Sequence, residues 1–167
     1  MKYVIIGNSA AAIGCVEGIR EVDRDGRILI ISDEIHHSYS RPLISYLLMG
    51  KTDLERMKYR PDSFYADMGC EVMLGGRVTK ITPDKKTVSL DDVTEIDYEK
   101  LLVATGSRPI VPHVHGIERV KNSTTFMYLD DAKKLQSTLK PDSRVMILGA
   151  GLIGLKCAEC LADKVGG

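Results

Sequence analysis

Lys2–Arg20, KYVIIGNSAAAIGCVEGIR, is the stretch on which the rest of the chain is organised. Tyr3 to Ile6 is a short apolar run rich in β-branched residues, the pattern of a parallel strand covered on both faces. Gly7 breaks it, and beyond the turn Ala12, Val16 and Ile19 recur at helical spacing. A helix N-terminus then stands just outside the end of a strand, where free backbone N–H groups and the helix dipole favour a pyrophosphate. The spacing is that of the dinucleotide fingerprint, with Gly7 kept and Ser9 and Ala12 in the other two glycine places. Ala at the third place is tolerated; Ser9 adds a side chain where the backbone should approach the phosphates.

Working outward, Arg27 to Ile31 reads as a second apolar strand ending at Ser32-Asp33-Glu34, and Asp33 lies 33 − 12 = 21 residues beyond Ala12. A carboxylate there can accept hydrogen bonds from adenosine ribose hydroxyls. Asp33 and Glu34 are equally placed for that role, and Ser32 competes for the position. The loop HHSYSRP then leads into LISYLLMG, a helix with Ser40 as N-cap, Pro42 in its first turn and Gly50 at its end. Arg41, just before that start, is placed to hold an anionic group together with the helix N-terminus, or simply to be a surface arginine.

Composition narrows the function classes. Lys and Arg number 23 against 23 Asp and Glu, so no basic field suggests nucleic acid or an anionic membrane. The chain is 44% apolar, enough for a core, and 5% aromatic, too few for a stacking platform for single strands. No apolar run approaches a membrane span and the N-terminus enters a strand directly, so a cytoplasmic protein is expected. The four cysteines read as reduced thiols. Cys157 and Cys160 form a C-x-x-C inside an expected helix without a second ligand pair, which favours packing over metal or redox chemistry. His36, His37, His113 and His115 fall in polar or Pro-containing loops and are expected to be solvated.

Further on, Ser63 to Met68 reads as a short helix. Short strands at Glu71–Leu74, Arg77–Ile81, Thr87–Leu90 and Glu95–Tyr98 are expected to form antiparallel hairpins or a meander. Leu101–Ala104 restores the parallel pattern, and Thr105-Gly106-Ser107-Arg108-Pro109 follows at the strand edge where open α/β sheets bind ligands. Asp130 to Leu139 is a helix with Ala132, Leu135 and Leu139 on one face. At Val145 to Leu148 a strand recurs, then Gly149-Ala150-Gly151-Leu152-Ile153-Gly154 is a complete G-x-G-x-x-G, with a helix over Leu155 to Ala162. Two fingerprints 149 − 7 = 142 residues apart imply two dinucleotide sites. The expected fold is α/β: a Rossmann-like domain with a parallel sheet and an antiparallel β excursion, then the start of a second Rossmann unit. Residues 1–110 are expected to form the first domain segment, 111–143 a connection, and 144–167 the truncated second unit of a longer protein.

The motifs VIIGNSAAA, YSRPLISYLL, LLVATGSRP and VMILGAGLIGLKCAE, in this order, resemble the N-terminal part of FAD-dependent pyridine nucleotide-disulfide oxidoreductases. The nearest likeness is to rubredoxin and ferredoxin reductases, NADH oxidases and the reductase portion of nitrite reductases. The resemblance implies FAD and NAD(P)H as cofactors, a rubredoxin- or ferredoxin-like acceptor protein or a small acceptor, and a homodimer. It implies that Gly7, Ser9, Ala10 and Ala11 line the FAD pyrophosphate, that Asp33 or Glu34 meets the ribose, and that Arg41 and Pro42 lie beside the flavin. Val78 would meet the adenine, Ala104, Thr105 and Gly106 would border the FAD, and Gly149, Gly151, Ile153 and Gly154 would receive NAD(P)H. The helix that carries redox cysteines in thiol members reads PLISYLLMG, without cysteine, so thiol chemistry is disfavoured. Tyr46 stands where some reductases have a lysine, and Lys156 where many members have a glutamate. Two other functions are weighed: a non-catalytic dinucleotide-binding module, suggested by Ser9 and Lys156, and a thiol enzyme using Cys157 and Cys160.

Overall fold

A computed structural model describes residues 1–166, which fall into two compact units. The first comprises Met1–Tyr39 and Lys58–Gly106; the second comprises Ser40–Met57 and the chain from Ser107 onward.

In the first unit the opening stretch folds as β1 (Tyr3–Ile6) and α1 (Ala10–Val22), followed by β2 (Ile28–Ser32). All of β2, and β1 from Val4 on, is buried, as continuous apolar strands require. Alternation sorts these residues onto two faces. Ile5, Ile28 and Ile30 pack with Ala12, Ile13 and Val16 of α1 and with Phe64, whereas Val4, Ile6, Leu29 and Ile31 pack with Val88 and Leu90. Each fully buried Ile is worth about 1.5–3 kcal/mol relative to exposure, so the two faces together are the main favourable term for this unit. Phe64 belongs to α4 (Phe64–Asp67), which lies within the expected Ser63–Met68 helix.

The expected meander is only partly formed. The strand expected at Glu71–Leu74 is β3 (Cys70–Leu74), and it joins the parallel sheet beside β2 instead of pairing with its successors. Its Val72 packs on the α1 face and Met73 on the other, so it extends both cores. β4 (Val78–Thr82), β5 (Thr87–Leu90) and β6 (Glu95–Asp97) do form an antiparallel meander. Its inner residues cover one face of the parallel sheet, where a doubly wound fold would place helices. β7 (Lys100–Val103) then pairs with β1, giving the parallel order β3-β2-β1-β7.

The second unit is built on helices. Ser40 does not cap an α-helix: a 3-10 turn over Arg41–Leu43 intervenes and Ser40 makes no side-chain cap bond. α2 (Ile44–Met49) follows and ends at Gly50, and α3 (Leu54–Met57) is a single turn. α5 (Leu129–Thr138) and α6 (Leu152–Leu161) complete the set. Leu48 of α2 is buried with Cys157, Cys160 and Leu161 of α6, flanked by Phe126, Leu135 and Val145. The strand expected at Val145–Leu148 is not formed, and Met146 is 85% exposed. Among the described residues no strand runs beside it, so its N–H and C=O groups have no ladder to join. α6 starts at Leu152, three residues before the expected start, because the last glycine of the fingerprint lies inside its first turn. No helix among the described residues is long and apolar enough to cross a membrane.

The first unit is pinned away from its ligand edge by Asp23, the C-cap of α1. Its carboxylate accepts from Lys2 Nζ at 2.7 Å, from the Tyr3 hydroxyl at 2.8 Å and from the Gly26 N–H at 2.9 Å. Arg20 adds bonds to the carbonyls of Met68, Asp23, Gly26 and Gly69. The Lys2 ammonium first, then the Tyr3 hydroxyl and the Gly26 N–H, hold the Asp23 carboxyl well below the usual carboxylate range. A depressed folded-state pKa stabilises above the unfolded value of about 3.9, and that stabilisation is lost as pH falls toward the folded value. Thermal unfolding against pH should therefore show Asp23→Ala less stable than the parent chain at pH 7, with the gap closing below about pH 4. A gap that stayed constant with pH would contradict this account of Asp23.

Candidate functional site

The carboxyl ends of β1, β2 and β7 lie on one edge of the parallel sheet. From β1 the strands run outward through β2 to β3, and the chain returns on the other side of β1 as β7. The order therefore reverses between β1 and β7, the place where open α/β sheets form a ligand crevice. At this point the Gly7 N–H donates to the Ile31 carbonyl at 2.8 Å and the Ala104 N–H to the Ile6 carbonyl at 2.7 Å. Gly7 has φ of 114°, and a Cβ there would overlap the Ala104 carbonyl oxygen. Only glycine meets both demands.

Ser9 caps α1 with extended backbone and makes no side-chain cap bond. Its hydroxyl therefore leaves the first-turn N–H groups of the helix to other acceptors, and Ala10 and Ala11 beside them are exposed. The helix dipole and these donors suit an anion, and the small side chains leave room for one. Ala12, in the third fingerprint place, is fully buried against the sheet. Backbone approach, free donors and small neighbours together fit a dinucleotide pyrophosphate.

At the end of β2 the three candidates for the ribose position part company. Ser32 is buried and its Oγ accepts from the Glu34 N–H at 3.2 Å. Glu34 accepts the Tyr39 hydroxyl at 2.6 Å, while Asp33 is exposed. Tyr39 was not singled out by sequence, since nothing in HHSYSRP says which way it turns. Thr105 and Gly106 are exposed beyond β7, and Ala104 is half-buried. The fold thus brings Gly7, Ser9, Ala10, Ala11, Asp33, Glu34, Ala104, Thr105 and Gly106 to one edge. Val78 is half-buried at the start of β4, in the other sheet of the same unit. His37, expected in solvent, instead packs on Tyr65 with ring centroids 4.6 Å apart, and its Nε2 is buried.

The remaining expected residues belong to the second unit. Arg41 Nη1 donates to the Met127 carbonyl at 3.4 Å, and its guanidinium lies 5.0 Å from the centroid of the Tyr128 ring. Asp131 fixes this loop, its Oδ2 accepting from the Met127 and Tyr128 N–H groups, both at 2.9 Å, and from Thr125 Oγ1 at 2.8 Å. Pro42 is exposed. At the second fingerprint Gly149 has φ of 117°, close to that of Gly7, and Gly151 is the N-cap of α6. A Cβ on Gly154 would overlap the Gly149 carbonyl oxygen, so the tight turn is made although its strand is not. Ile153 is exposed.

The two positions that depart from the family pattern meet each other: Lys156 Nζ lies 5.8 Å from the centroid of the Tyr46 ring and 2.7 Å from Glu159 Oε2. Glu159 raises the Lys156 pKa, so the side chain stays a cation. Cys157 and Cys160 are buried. Burial, with the neighbouring Cys157, pushes the Cys160 thiol up to about 11, and burial raises Cys157 as well. Thiols so placed are poor nucleophiles and pack instead.

The family model for pyridine nucleotide-disulphide oxidoreductases matches residues 1–166. The chain is 35% identical over 160 residues to the epsilon subunit of an NADH-dependent phenylglyoxylate dehydrogenase from Aromatoleum evansii, covering 96% of this chain and 38% of that protein. Among solved structures it is similar to the covalent putidaredoxin reductase–putidaredoxin complex, with a TM-score of 0.87, 28% identity, and coverage of 98% of this chain and 40% of that one. It is similar also to the water-forming NADH oxidase of Lactobacillus brevis bound to NADH, with a TM-score of 0.87, 27% identity, and coverage of 98% and 37%. The chain therefore spans about two-fifths of the length of these proteins.

The turn geometry sets apart two glycines of the opening stretch. Gly7→Ala should cost on the order of 3 kcal/mol in urea unfolding, since it combines a left-handed φ with a backbone clash. Gly14→Ala, in α1 with nothing within 4 Å of the new Cβ, should stabilise by about 0.5–1 kcal/mol. Equal effects at the two sites would remove the claim that the Gly7 turn is sterically locked.

Proposed function

The chain belongs to the pyridine nucleotide-disulphide oxidoreductases, and on that premise we propose that it is the N-terminal part of a flavoprotein that takes hydride from NAD(P)H and passes electrons to an acceptor without a redox cysteine. The observation that carries this reading is the approach of Gly7 to Ala104 at the strand-order reversal, beside the free N-terminus of α1. Residues 1–110 would supply the first segment of the FAD domain, 111–143 a connection, and 144–167 the start of the NAD(P)H domain.

When bound, FAD accepts hydride from the nicotinamide and releases electrons to the acceptor. The chain's part is to hold and orient. The α1 N-terminus with Gly7, Ser9, Ala10 and Ala11 receives the pyrophosphate, and Ala104, Thr105 and Gly106 form the opposite wall. Asp33 is favoured over Glu34 for the ribose, because the Glu34 carboxylate is engaged by Tyr39 and Asp33 is exposed. Val78 offers backbone to the adenine, and Arg41, steadied by Tyr128, offers a cation to the flavin side with Pro42. Gly149, Gly151, Ile153 and Gly154 take NAD(P)H at the α6 N-terminus. Lys156 is a fixed cation and takes no proton.

An acceptor protein of ferredoxin type is supported by the putidaredoxin seated on one related reductase, and NADH as donor by the names of two relatives. A homodimer belongs to the same reading.

The absorbance spectrum of the full-length protein, before and after anaerobic NADH, tests it. Flavin bands that bleach are expected; a colourless protein that FAD cannot reconstitute would favour a non-catalytic binding module. The 167-residue chain alone is expected to hold FAD weakly and not to turn over NADH, and a tightly loaded, NADH-oxidising preparation would overturn that part. Cys157→Ala with Cys160→Ala should leave full-length turnover unchanged, whereas lost turnover with intact flavin would restore the thiol mechanism.

A further inference from the structure

One hydroxyl in the first unit bonds to two separate parts of the candidate site. Tyr65, on α4, donates to Asn8 Oδ1 at 2.9 Å and accepts from the Ser38 N–H at 3.1 Å. Asn8 stands between Gly7 and Ser9 in the phosphate turn. Ser38 closes the loop that begins at Asp33. Asn8 Nδ2 also reaches this loop, donating to the His36 carbonyl at 3.4 Å.

The ring that carries the hydroxyl is held from both sides. Its neighbour Phe64 is buried in the α1-facing core and meets it edge-on at 5.6 Å, and the His37 ring lies against it at 4.6 Å. The loop keeps its place at some cost. His37 Nε2 and Ser38 Oγ are buried without a hydrogen-bond partner among the described residues, and such groups oppose burial. What holds the loop there must come from outside it, and Tyr65 is a residue that touches both the loop and the phosphate turn. A dinucleotide needs these two segments at a set separation, because its pyrophosphate and ribose are joined covalently. A turn and a loop free to drift apart would lose that match, and the affinity lost would be that of ordering them anew.

We propose that Tyr65 is a positioning residue for the dinucleotide site, its hydroxyl coupling the phosphate turn at Asn8 to the ribose loop at Ser38. The inference rests on the flavoprotein reading above. It concerns affinity for the adenosine diphosphate portion and leaves the flavin's reactivity untouched.

Tyr65→Phe in the full-length protein keeps the ring and deletes the hydroxyl. Titration of the apoprotein should need about tenfold more FAD for half-saturation, the scale of one or two lost hydrogen bonds. ADP, which spans both segments without the flavin, should weaken by the same factor. At saturating FAD, the flavin spectrum and the rate of bleaching by NADH should match the parent protein. In an Asn8→Ala background the coupling is already cut, so Tyr65→Phe should add little. Parent-like FAD affinity in Tyr65→Phe would overturn the proposal. An altered spectrum or bleaching rate at saturating FAD, or an undiminished loss in the Asn8→Ala background, would also overturn it by making Tyr65 a general structural residue. A parent protein that takes no FAD at all would instead bring down the flavoprotein reading, and this proposal with it.

Discussion

The close passage of Gly7 beneath the Ala104 carbonyl is the constraint on which the first unit turns. β1 must have β7 as a parallel neighbour, and the chain leaving β1 must cross the exit of β7 to enter α1. With any side chain at position 7, either the strands separate or the helix begins elsewhere. Because the crossing is made by bare backbone, α1 starts directly above the sheet edge with its donors facing outward. Strand order, helix start and anion site are therefore one geometric solution. The same backbone angle recurs at Gly149, although there a Cβ would meet nothing within 4 Å and the crowded position of that turn is Gly154, against the Gly149 carbonyl.

What could be read from the sequence is what short-range chemistry dictates. The β1-turn-α1 unit, β2 and the meander strands β4 to β6 follow from apolar runs and turn residues that act within a few positions. The partner of a strand is not such a property. Cys70–Leu74 is a short strand like its successors, yet it lies in the parallel sheet because Val72 and Met73 complete cores begun by residues far away. Val145–Leu148 is the converse case, with a strand's pattern and, among the described residues, no neighbouring strand to pair with. The site shows the same division. The glycines and small residues were legible, whereas Tyr39, Tyr65 and Tyr128 were not, since a tyrosine in a polar stretch gives no sign of where its hydroxyl or ring will reach. His37 escaped for the same reason, its solvent being displaced by the Tyr65 ring.

In the second unit, residue types that elsewhere do chemistry serve packing. The cysteines of α6 face Leu48 of α2, and burial keeps both thiols protonated at neutral pH. α2 itself has no cysteine, and its exposed Tyr46 receives the Lys156 cation that Glu159 also holds. The charges of Lys156 and Glu159 are thus held as a pair on α6. That suits the proposed reading, in which a bound cofactor would do the redox work and the side chains would chiefly set distances.

The pairing of Tyr3 with Lys100 has a consequence for how the chain is made on the ribosome. These partners are 100 − 3 = 97 residues apart, so the central strand emerges early and waits for its second neighbour. At about 5–20 residues per second the wait is on the order of 5–20 s, long compared with the collapse of a small chain. During that time the edge of β1 that will receive β7 has no strand beside it. The ligand crevice, which opens at that same side, is therefore among the last features of the unit to come into existence.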